Sequence, residues 1–167
     1  MKNLKSLLFV AVLTIGFISM SQAQTKVAHL NFDELISSMP KTKALEVDLE
    51  KLKKNYDDEI KAADTILKAK LEKYNNEAKS QTQAENQKRA QEVQTEEQKI
   101  YTSIQAANED LQKRKAEGLN PIIEEARKAV ADLAKEKGFD YVLDVSTLLV
   151  ANGTDLMADA KAKLGIK

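Results

Sequence analysis

The residues that could carry chemistry are few, and their spacing does not bring them together. His29 is the only histidine, cysteine is absent, and there is no Gly-rich phosphate loop and no Gly-x-Ser-x-Gly nucleophile motif. Acidic residues come as adjacent runs, Asp33-Glu34, Asp57-Asp58-Glu59 and Glu124-Glu125, whereas acid–base catalysis needs separated carboxylates that meet in a pocket. Acidic runs on helices are typical of solvated faces, and a lone strand histidine is more often packed than a ligand. The sequence therefore predicts no enzyme, no metal site and no cofactor.

The N-terminus predicts export. Two lysines precede an apolar run from Leu7 to Ile18, and Ser21-Gln22-Ala23 matches a small-x-small cleavage pattern. The run is about 12 residues long, short of the roughly 20 that a membrane-spanning helix needs. We expect residues 1–23 to be a signal peptide cleaved after Ala23. The mature chain is then expected to be soluble, and periplasmic if the cell has an outer membrane.

The charge balance limits the possible partners. The chain has 26 Lys and Arg and 26 Asp and Glu, and residues 1–23 hold two Lys and no acid, so the mature net charge is −2. A near-neutral chain offers no electrostatic basis for binding nucleic acid. Because cysteine is absent, stability must come from packing or assembly instead of disulfides.

One apolar stripe runs along a long predicted helix from Thr42, with neither Gly nor Pro before Gly118. Steps of 4, 3 and 4 residues keep the stripe on one side, since eleven residues make about three turns. The intervening residues are mostly charged or amide side chains, so the helix must lie against a partner helix along one seam. The predicted seam residues are Leu45, Leu49, Leu52, Tyr56, Ile60, Ala63, Leu67, Leu71 and Tyr74, followed by Ile100, Ile104, Ala107 and Leu111.

Two topologies fit this helical block, because residues 75–98 are nearly bare of apolar side chains. One is a single rod, roughly 115 Å long at 1.5 Å per residue. The other is a hairpin that reverses near Ser80 to Thr82, which would let the two stripes shield each other. The absence of Gly and Pro at the reversal favours the rod, whereas the nearly equal halves favour the hairpin slightly.

Short strands are predicted on both sides of the helical block, at Val27–Phe32, Phe139–Val145 and Leu148–Val150. Pairing them makes a small body whose size is marginal alone, so we expect a homo-oligomer joined through it. The predicted division is a body of residues 24–41 and 119–167, and an arm of residues 42–118 with its tip near 79–84. The predicted body core is Val27, Leu30, Phe32, Phe139, Tyr141, Leu143, Val145 and Leu149, with Tyr141, Leu143 and Val145 on one face.

Local signals predict the helix boundaries. Asn31 followed by Glu34 resembles an N-terminal capping box, and Pro40 suits the first turn of the next helix. Pro121 indicates the start of a further helix, and Gly138 indicates its end.

The ordered set of these features resembles the Skp/OmpH family of periplasmic chaperones. The match is carried by the segment Lys-Val-Ala-His-Leu-Asn-Phe at 26–32, by the long charged arms, and by Lys-Glu-Lys-Gly-Phe at 135–139 before Tyr-Val-Leu-Asp-Val at 141–145. Leu-Leu-Val before Asn152-Gly153 adds to it, and the resemblance covers essentially the whole mature chain.

The resemblance implies an α+β fold, with a small β-barrel-like body and a long α-helical hairpin, or coiled-coil, arm inserted between its strands. It further implies a periplasmic homotrimer whose barrel is built from strands of all three chains. Three hairpins would enclose a cavity that holds unfolded outer-membrane proteins without ATP and prevents their aggregation. The hairpin topology is favoured on this ground.

Two points depart from that picture or compete with it. The best-known family members are basic, whereas residues 42–118 here carry 15 Lys and Arg against 16 Asp and Glu, so contact with lipid or lipopolysaccharide is not expected. A structural coiled-coil scaffold or spacer of the envelope, without chaperone activity, is the alternative function, and it predicts a continuous rod. The tyrosines Tyr56, Tyr74 and Tyr101 fit seam packing better than client contact.

Overall fold

The structure, a computed structural model, describes residues 25–166, and the predicted signal peptide lies outside this range. The elements, in chain order, are β1 (Val27–Leu30), α1 (Phe32–Ser38), α2 (Pro40–Glu77), a 3₁₀ turn (Ala78–Ser80), α3 (Gln83–Lys137), β2 (Tyr141–Asp144), a second 3₁₀ turn (Val145–Thr147), β3 (Thr154–Asp155) and α4 (Met157–Lys163). The predicted combination of long helices with a small sheet is confirmed.

Helices α2 and α3 run antiparallel and form a hairpin arm. The chain reverses between Ala78 and Thr82, where Thr82 caps α3 by accepting the backbone N–H of Glu85 at 3.2 Å. Asn86 braces the turn, because its side-chain amide donates to the carbonyl of Ala78 at 2.9 Å. No non-glycine residue in the described part of the chain has a positive φ, which explains how the reversal forms without Gly or Pro.

The expected helix start at Pro121 is wrong, because α3 continues from Gln83 to Lys137 through both Gly118 and Pro121. A proline inside a helix removes one backbone hydrogen bond and costs about 3 kcal/mol. Burial of Ile122 and Ala126 against the body offsets that cost, and these side chains are 5% and 0% exposed. One helix therefore crosses from the arm into the body, so the two parts are joined by continuous backbone.

The three strands form a parallel sheet in the order β2-β1-β3. Val27 pairs with Tyr141 and Ala28 with Thr154, and the side of the sheet that carries Ala28 and Leu30 faces the helices. The buried core consists of Ala28, Leu30, Leu35, Met39, Ile122, Ala126, Leu133, Leu156 and Ala160. This sheet is open, so the described residues of one chain do not make a closed barrel.

The three predicted strands all differ from those observed, and β2 is shorter than the predicted Phe139–Val145 because Val145 begins a 3₁₀ turn. β1 ends at Leu30, because Asn31 accepts the backbone N–H of Glu34 at 3.0 Å and begins α1. The expected strand at Leu148–Val150 is wrong, because the 3₁₀ turn after β2 carries the chain out of the sheet, and the third strand is the later pair Thr154–Asp155.

Candidate functional site

The arm is held along its predicted seam with two exceptions. Leu67 and Ala107 are buried, and most of the other seam residues are half-buried between α2 and α3. Ala63 and Ile104 are exposed instead, and Ile104 keeps 39% of its surface in contact with solvent. The half-buried seam residues are Leu45, Leu49, Leu52, Tyr56, Ile60, Leu71, Tyr74, Ile100 and Leu111.

Small side chains leave a gap in the middle of the seam. A cavity of about 490 Å³ opens on one face of the hairpin, and its lining includes Ala63, Ser103 and Ala107. At its edge Tyr56 donates its hydroxyl hydrogen to Asp110 across the seam at 2.8 Å. Hydrogen bonds from Arg114 and then Tyr56 hold the pKa of the Asp110 carboxyl below its usual range. Tyr56 therefore packs in the seam and also fixes the register of the two helices.

The outer part of the arm is held by polar contacts. Lys70 Nζ lies 2.9 Å from Glu92 Oε1 and also pairs with Glu96. Tyr74 donates its hydroxyl hydrogen to Glu92 Oε2 at 2.8 Å. The two glutamates, Glu96 first, raise the pKa of Lys70, while hydrogen bonds from Lys70 and Tyr74 lower the pKa of Glu92. These charges lie between the helices, where the sequence predicted only an apolar stripe.

Arg89 is the centre of a second group of contacts at the tip. Its guanidinium lies 4.6 Å from the centre of the Tyr74 ring, within the range of a cation–π interaction. Nη1 is 3.0 Å from Glu77 on α2, an ion pair whose angle falls outside hydrogen-bond geometry, and Nε donates to Glu85 at 3.1 Å. The Arg89 side chain is only 15% exposed, so much of the group is withdrawn from water.

The sequence analysis missed these polar seam residues, although a signal for them exists. Arg89, Val93, Glu96 and Ile100 follow each other at steps of 4, 3 and 4, the same spacing as the apolar stripe of α2. Two of the four, Arg89 and Glu96, are charged, so an apolar stripe alone does not include them. Spacing without regard to polarity would have placed Arg89 and Glu96 in the seam.

The body exposes an apolar sheet face. Val27, Tyr141 and Leu143 lie on the side of the sheet opposite the core and are 43%, 61% and 40% exposed. In the connection from β2 to β3, Leu149 is fully exposed and Val150 is largely so. Of the other predicted body residues, Leu30 is buried and Phe32, Phe139 and Val145 are half-buried.

His29 lies on this same sheet face between β2 and β3. A Cβ atom added to Gly153 would meet the His29 ring at 3.5 Å, so the β2–β3 connection covers the imidazole. Neither ring nitrogen has a hydrogen-bond partner among residues 25–166. His29 is therefore packed, with no ligand-binding contact in the described chain.

A groove borders the free edge of β2. Its volume is about 630 Å³, and its walls are apolar side chains of the sheet, of the start of α1 and of the last turns of α3, among them Val142, Phe32 and Val130. Arg127 and Lys135 are at its rim. The body thus exposes an apolar sheet face and, next to it, an apolar groove.

Between residues 25 and 166 no three His, Asp or Glu side chains are grouped so that they could hold a metal ion. No helix within that range is long and apolar enough to cross a membrane. What the geometry offers is surface: a long two-helix arm and an exposed apolar face on a small body.

Comparisons with known proteins agree on one family. The family model described as outer membrane protein (OmpH-like) matches residues 26–164. The chain is 26% identical over 139 residues to the chaperone protein Skp of Pectobacterium atrosepticum, covering 83% of this chain and 84% of that one. It is 26% identical over 131 residues to Skp of Vibrio cholerae, covering 77% and 76%.

A solved structure shares the fold. The crystal structure of a putative outer membrane chaperone (OmpH-like) from Caulobacter crescentus superimposes with a TM-score of 0.76 and covers 84% of this chain and 83% of that one. The sequence identity is 15%, so this likeness concerns the arrangement of helices and strands alone.

Proposed function

Because the chain belongs to the OmpH-like outer membrane protein family, we propose that it is a periplasmic chaperone that holds unfolded outer-membrane proteins without ATP. The resemblance inferred from the sequence is thereby confirmed at the level of the family. The observation that carries the proposal is the two-part build of the molecule. A hairpin arm projects from a small body by one unbroken helix, and the body exposes apolar surface suited to assembly.

We place the assembly surface on the exposed face of the sheet. The side chains of Val27, Tyr141 and Leu143 are exposed to solvent. Burying them against other copies would stabilise the assembly by about 25 cal/mol per Å² of apolar surface removed from water. Leu149 and Val150, in the connection after β2, are further exposed apolar side chains that assembly could bury. The number of copies, three, follows from the family resemblance, and strands from three open sheets would then form the β-barrel-like body.

The arms of three copies would enclose the cavity for clients. Their outer surfaces are charged and polar, with scattered exposed apolar side chains such as Ile66, Tyr101 and Ile104. Weak contacts distributed over such a surface add up through multivalency, so no single high-affinity pocket is needed. Tyr101 differs from Tyr56 and Tyr74, because it is 56% exposed and makes no bond across the seam, and we assign it to client contact.

Export belongs to the same proposal. Residues 1–23 would direct the chain out of the cytoplasm and be removed, which places the mature protein in the same compartment as its clients.

Light scattering tests the proposal directly. A urea-unfolded outer-membrane protein is diluted into buffer with the mature chain at one trimer per client and no nucleotide. We expect the scattering signal to be strongly suppressed. An assembled protein that leaves the aggregation unchanged would overturn the chaperone proposal and favour the scaffold role.

A further inference from the structure

The apolar seam of the arm stops before the tip. On α2 the last aliphatic seam residue is Leu71, and on α3 the first is Val93. Beyond this level the two helices face each other mainly through Tyr74, Arg89 and their carboxylate partners. The outer arm is thus joined by a different kind of interaction from the inner arm.

Ion pairs that bridge the two helices lie mostly at the last apolar level of the seam, Leu71 and Val93, and beyond it. Lys70 with Glu92 and Glu96, and Glu77 with Arg89, each join α2 to α3. The pairs of the inner arm, such as Lys53–Asp57, Lys54–Asp58, Lys68–Asp64 and Arg114–Asp110, connect residues four apart on one helix. Breaking those pairs does not separate the helices, whereas breaking the outer ones removes most of what holds the tip together.

We propose that the outer polar group is a charge-dependent latch that lets the tip open while the inner seam stays closed. The latch consists of Lys70, Tyr74, Glu77, Glu85, Arg89, Glu92 and Glu96. The segment that opens is residues 72–92, the outer end of the hairpin beyond Leu71 and Val93, and Lys70 and Glu96 hold it from the inner side of that level. The inner seam, which buries Leu67 and Ala107, is the hinge.

The physical reason is that the apolar inner seam and the polar latch respond differently to pH and to salt. Apolar contact is nearly independent of pH, whereas an ion pair is lost when one partner is neutralised and weakens as salt screens it. Lys70 and Arg89 have side chains only 24% and 15% exposed, so loss of a partner would leave a poorly hydrated charge between the helices. Loss of a carboxylate partner therefore destabilises the closed state of the latch.

The pH dependence has a defined sign. Glu92 is faced by Lys70 and Tyr74 from α2 and by Lys88 on its own helix, and Lys70 and Tyr74 lower its pKa. A carboxyl with a lowered pKa in the closed state stabilises that state above its usual pKa range and loses the effect as pH falls through the lowered value. Acid therefore opens the latch. Arg89 stays charged and cannot replace the lost attraction.

The effect of latch opening on clients rests on the proposed function. In a three-armed cage the tips form the entrance, so opening the tips would widen that entrance. The latch itself does not depend on that function, because its contacts lie within one chain.

The test measures the two ends of the arm separately. The chain has no cysteine, so spin labels can be placed at will. One pair, Asn76→Cys with Gln87→Cys, reports on the tip, and a second pair, Asn55→Cys with Gln112→Cys, reports on the inner arm; all four positions are exposed. Labelled mature chain is mixed with excess unlabelled chain, so that distances are measured within one copy, and pulsed EPR gives the distance distributions.

The decisive variant is E92Q/E96Q, which removes two latch charges and keeps the side-chain shapes. We expect the tip distribution to become at least twofold broader, both in this variant at pH 7 and in the unsubstituted chain at pH 3, with the inner distribution unchanged. The matched control is D57N/D58N, which removes two carboxylates from inner pairs within α2 and should leave both distributions unchanged. Arg89→Met, which removes the partner of Glu77 and Glu85, should reproduce the tip effect.

Two results would overturn the latch. A tip distribution that stays narrow in E92Q/E96Q and Arg89→Met means that the polar group does not hold the tip. Equal broadening at both label pairs means that the arm opens as a whole and has no separate outer part. Because no client is present, either outcome is independent of the aggregation assay.

Discussion

The side chain of Leu45 occupies the space beside Gly118, where a Cβ atom would lie 2.6 Å from Leu45 Cδ1. This contact is the closest approach that the glycines show to a neighbouring side chain among residues 25–166, and it lies near the junction of the arm with the body. Gly118 is therefore a packing residue inside α3, and its lack of a side chain lets the beginning of α2 approach.

Substitution of Gly118 by Ala should show that Gly118 and Leu45 are energetically coupled. Alanine gains about 1 kcal/mol of helix propensity over glycine, but here it must displace Leu45. We expect G118A to be close to neutral or destabilising in the natural chain and to stabilise by about 1 kcal/mol in the L45A background. Urea unfolding of the four chains of this double-mutant cycle measures the difference, and an identical effect in both backgrounds would contradict the contact.

Leu67 and its neighbour Ile66 should respond very differently to truncation. Leu67 is 6% exposed in the seam, and Leu67→Ala should destabilise the chain by about 2–3 kcal/mol, because the lost methyl groups leave a cavity. Ile66 is 65% exposed, so Ile66→Ala should change the free energy of unfolding by less than about 0.5 kcal/mol. Unfolding at equal protein concentration gives both values, and similar losses would contradict the assigned helix face.

Charges placed on the exposed sheet face should prevent assembly. We expect Tyr141→Asp on the sheet face and Leu149→Asp in the connection after β2 to lower the mass of the proposed assembly toward that of a monomer, because a desolvated carboxylate would then face apolar side chains. Ala162→Asp, at an exposed position of α4, is the control of equal charge and should leave the mass unchanged. Sedimentation equilibrium measures the mass, and far-UV circular dichroism checks that each variant keeps its helices. An assembly mass that both substitutions leave unchanged would place the interface elsewhere.

Asp144 should make the stability of the body sensitive to acid. Its carboxylate accepts the backbone N–H of Ser146 at 3.0 Å and that of Phe32 at 3.5 Å, and these bonds, Ser146 first, lower its pKa. The folded chain then binds fewer protons than the unfolded chain as pH falls through this range, so the stabilisation is present above the usual carboxyl pKa and is lost below it.

The variant Asp144→Asn removes this titration. We expect it to be less stable than the natural chain at pH 7 and to lose less stability between pH 5 and pH 3. Denaturant unfolding across that pH range measures the two slopes, with Asp48→Asn, an exposed carboxylate on α2, as the control. Parallel pH profiles for the natural chain and Asp144→Asn would contradict the assignment.

Residue spacing predicted the helices of the arm well, because a helix buried on one side carries apolar residues at regular helical spacing. The stripe from Leu45 to Tyr74 coincides with α2, and Gly138, with φ of 71°, ends α3 as its position predicted. The same rule failed at Ala63 and Ile104, which lie in the pattern and are exposed. Periodicity gives the direction of a side chain but not whether the partner helix is close enough to cover it.

Local signals were weaker where distant residues compete with them. Pro121 predicted a helix start, yet α3 passes through it, because the energy that keeps the helix intact comes from packing against the body. The apolar run Leu148–Val150 predicted a strand, but a strand needs a neighbour, and no strand of the described chain pairs with it. Pairing of strands far apart in sequence is decided by the whole chain.

Spacing and local signals sufficed to predict the long helices, the positions of β1 and β2 and the family, because helix formation and amphipathic spacing are local properties of the chain, but they did not predict β3. Only the tertiary structure decided that Arg89 and Glu96 lie between the helices and that Tyr141 and Leu143 face outward. These facts depend on which surfaces meet, and that is fixed by contacts between residues distant in sequence, such as Lys70 with Glu92 and Leu45 with Gly118.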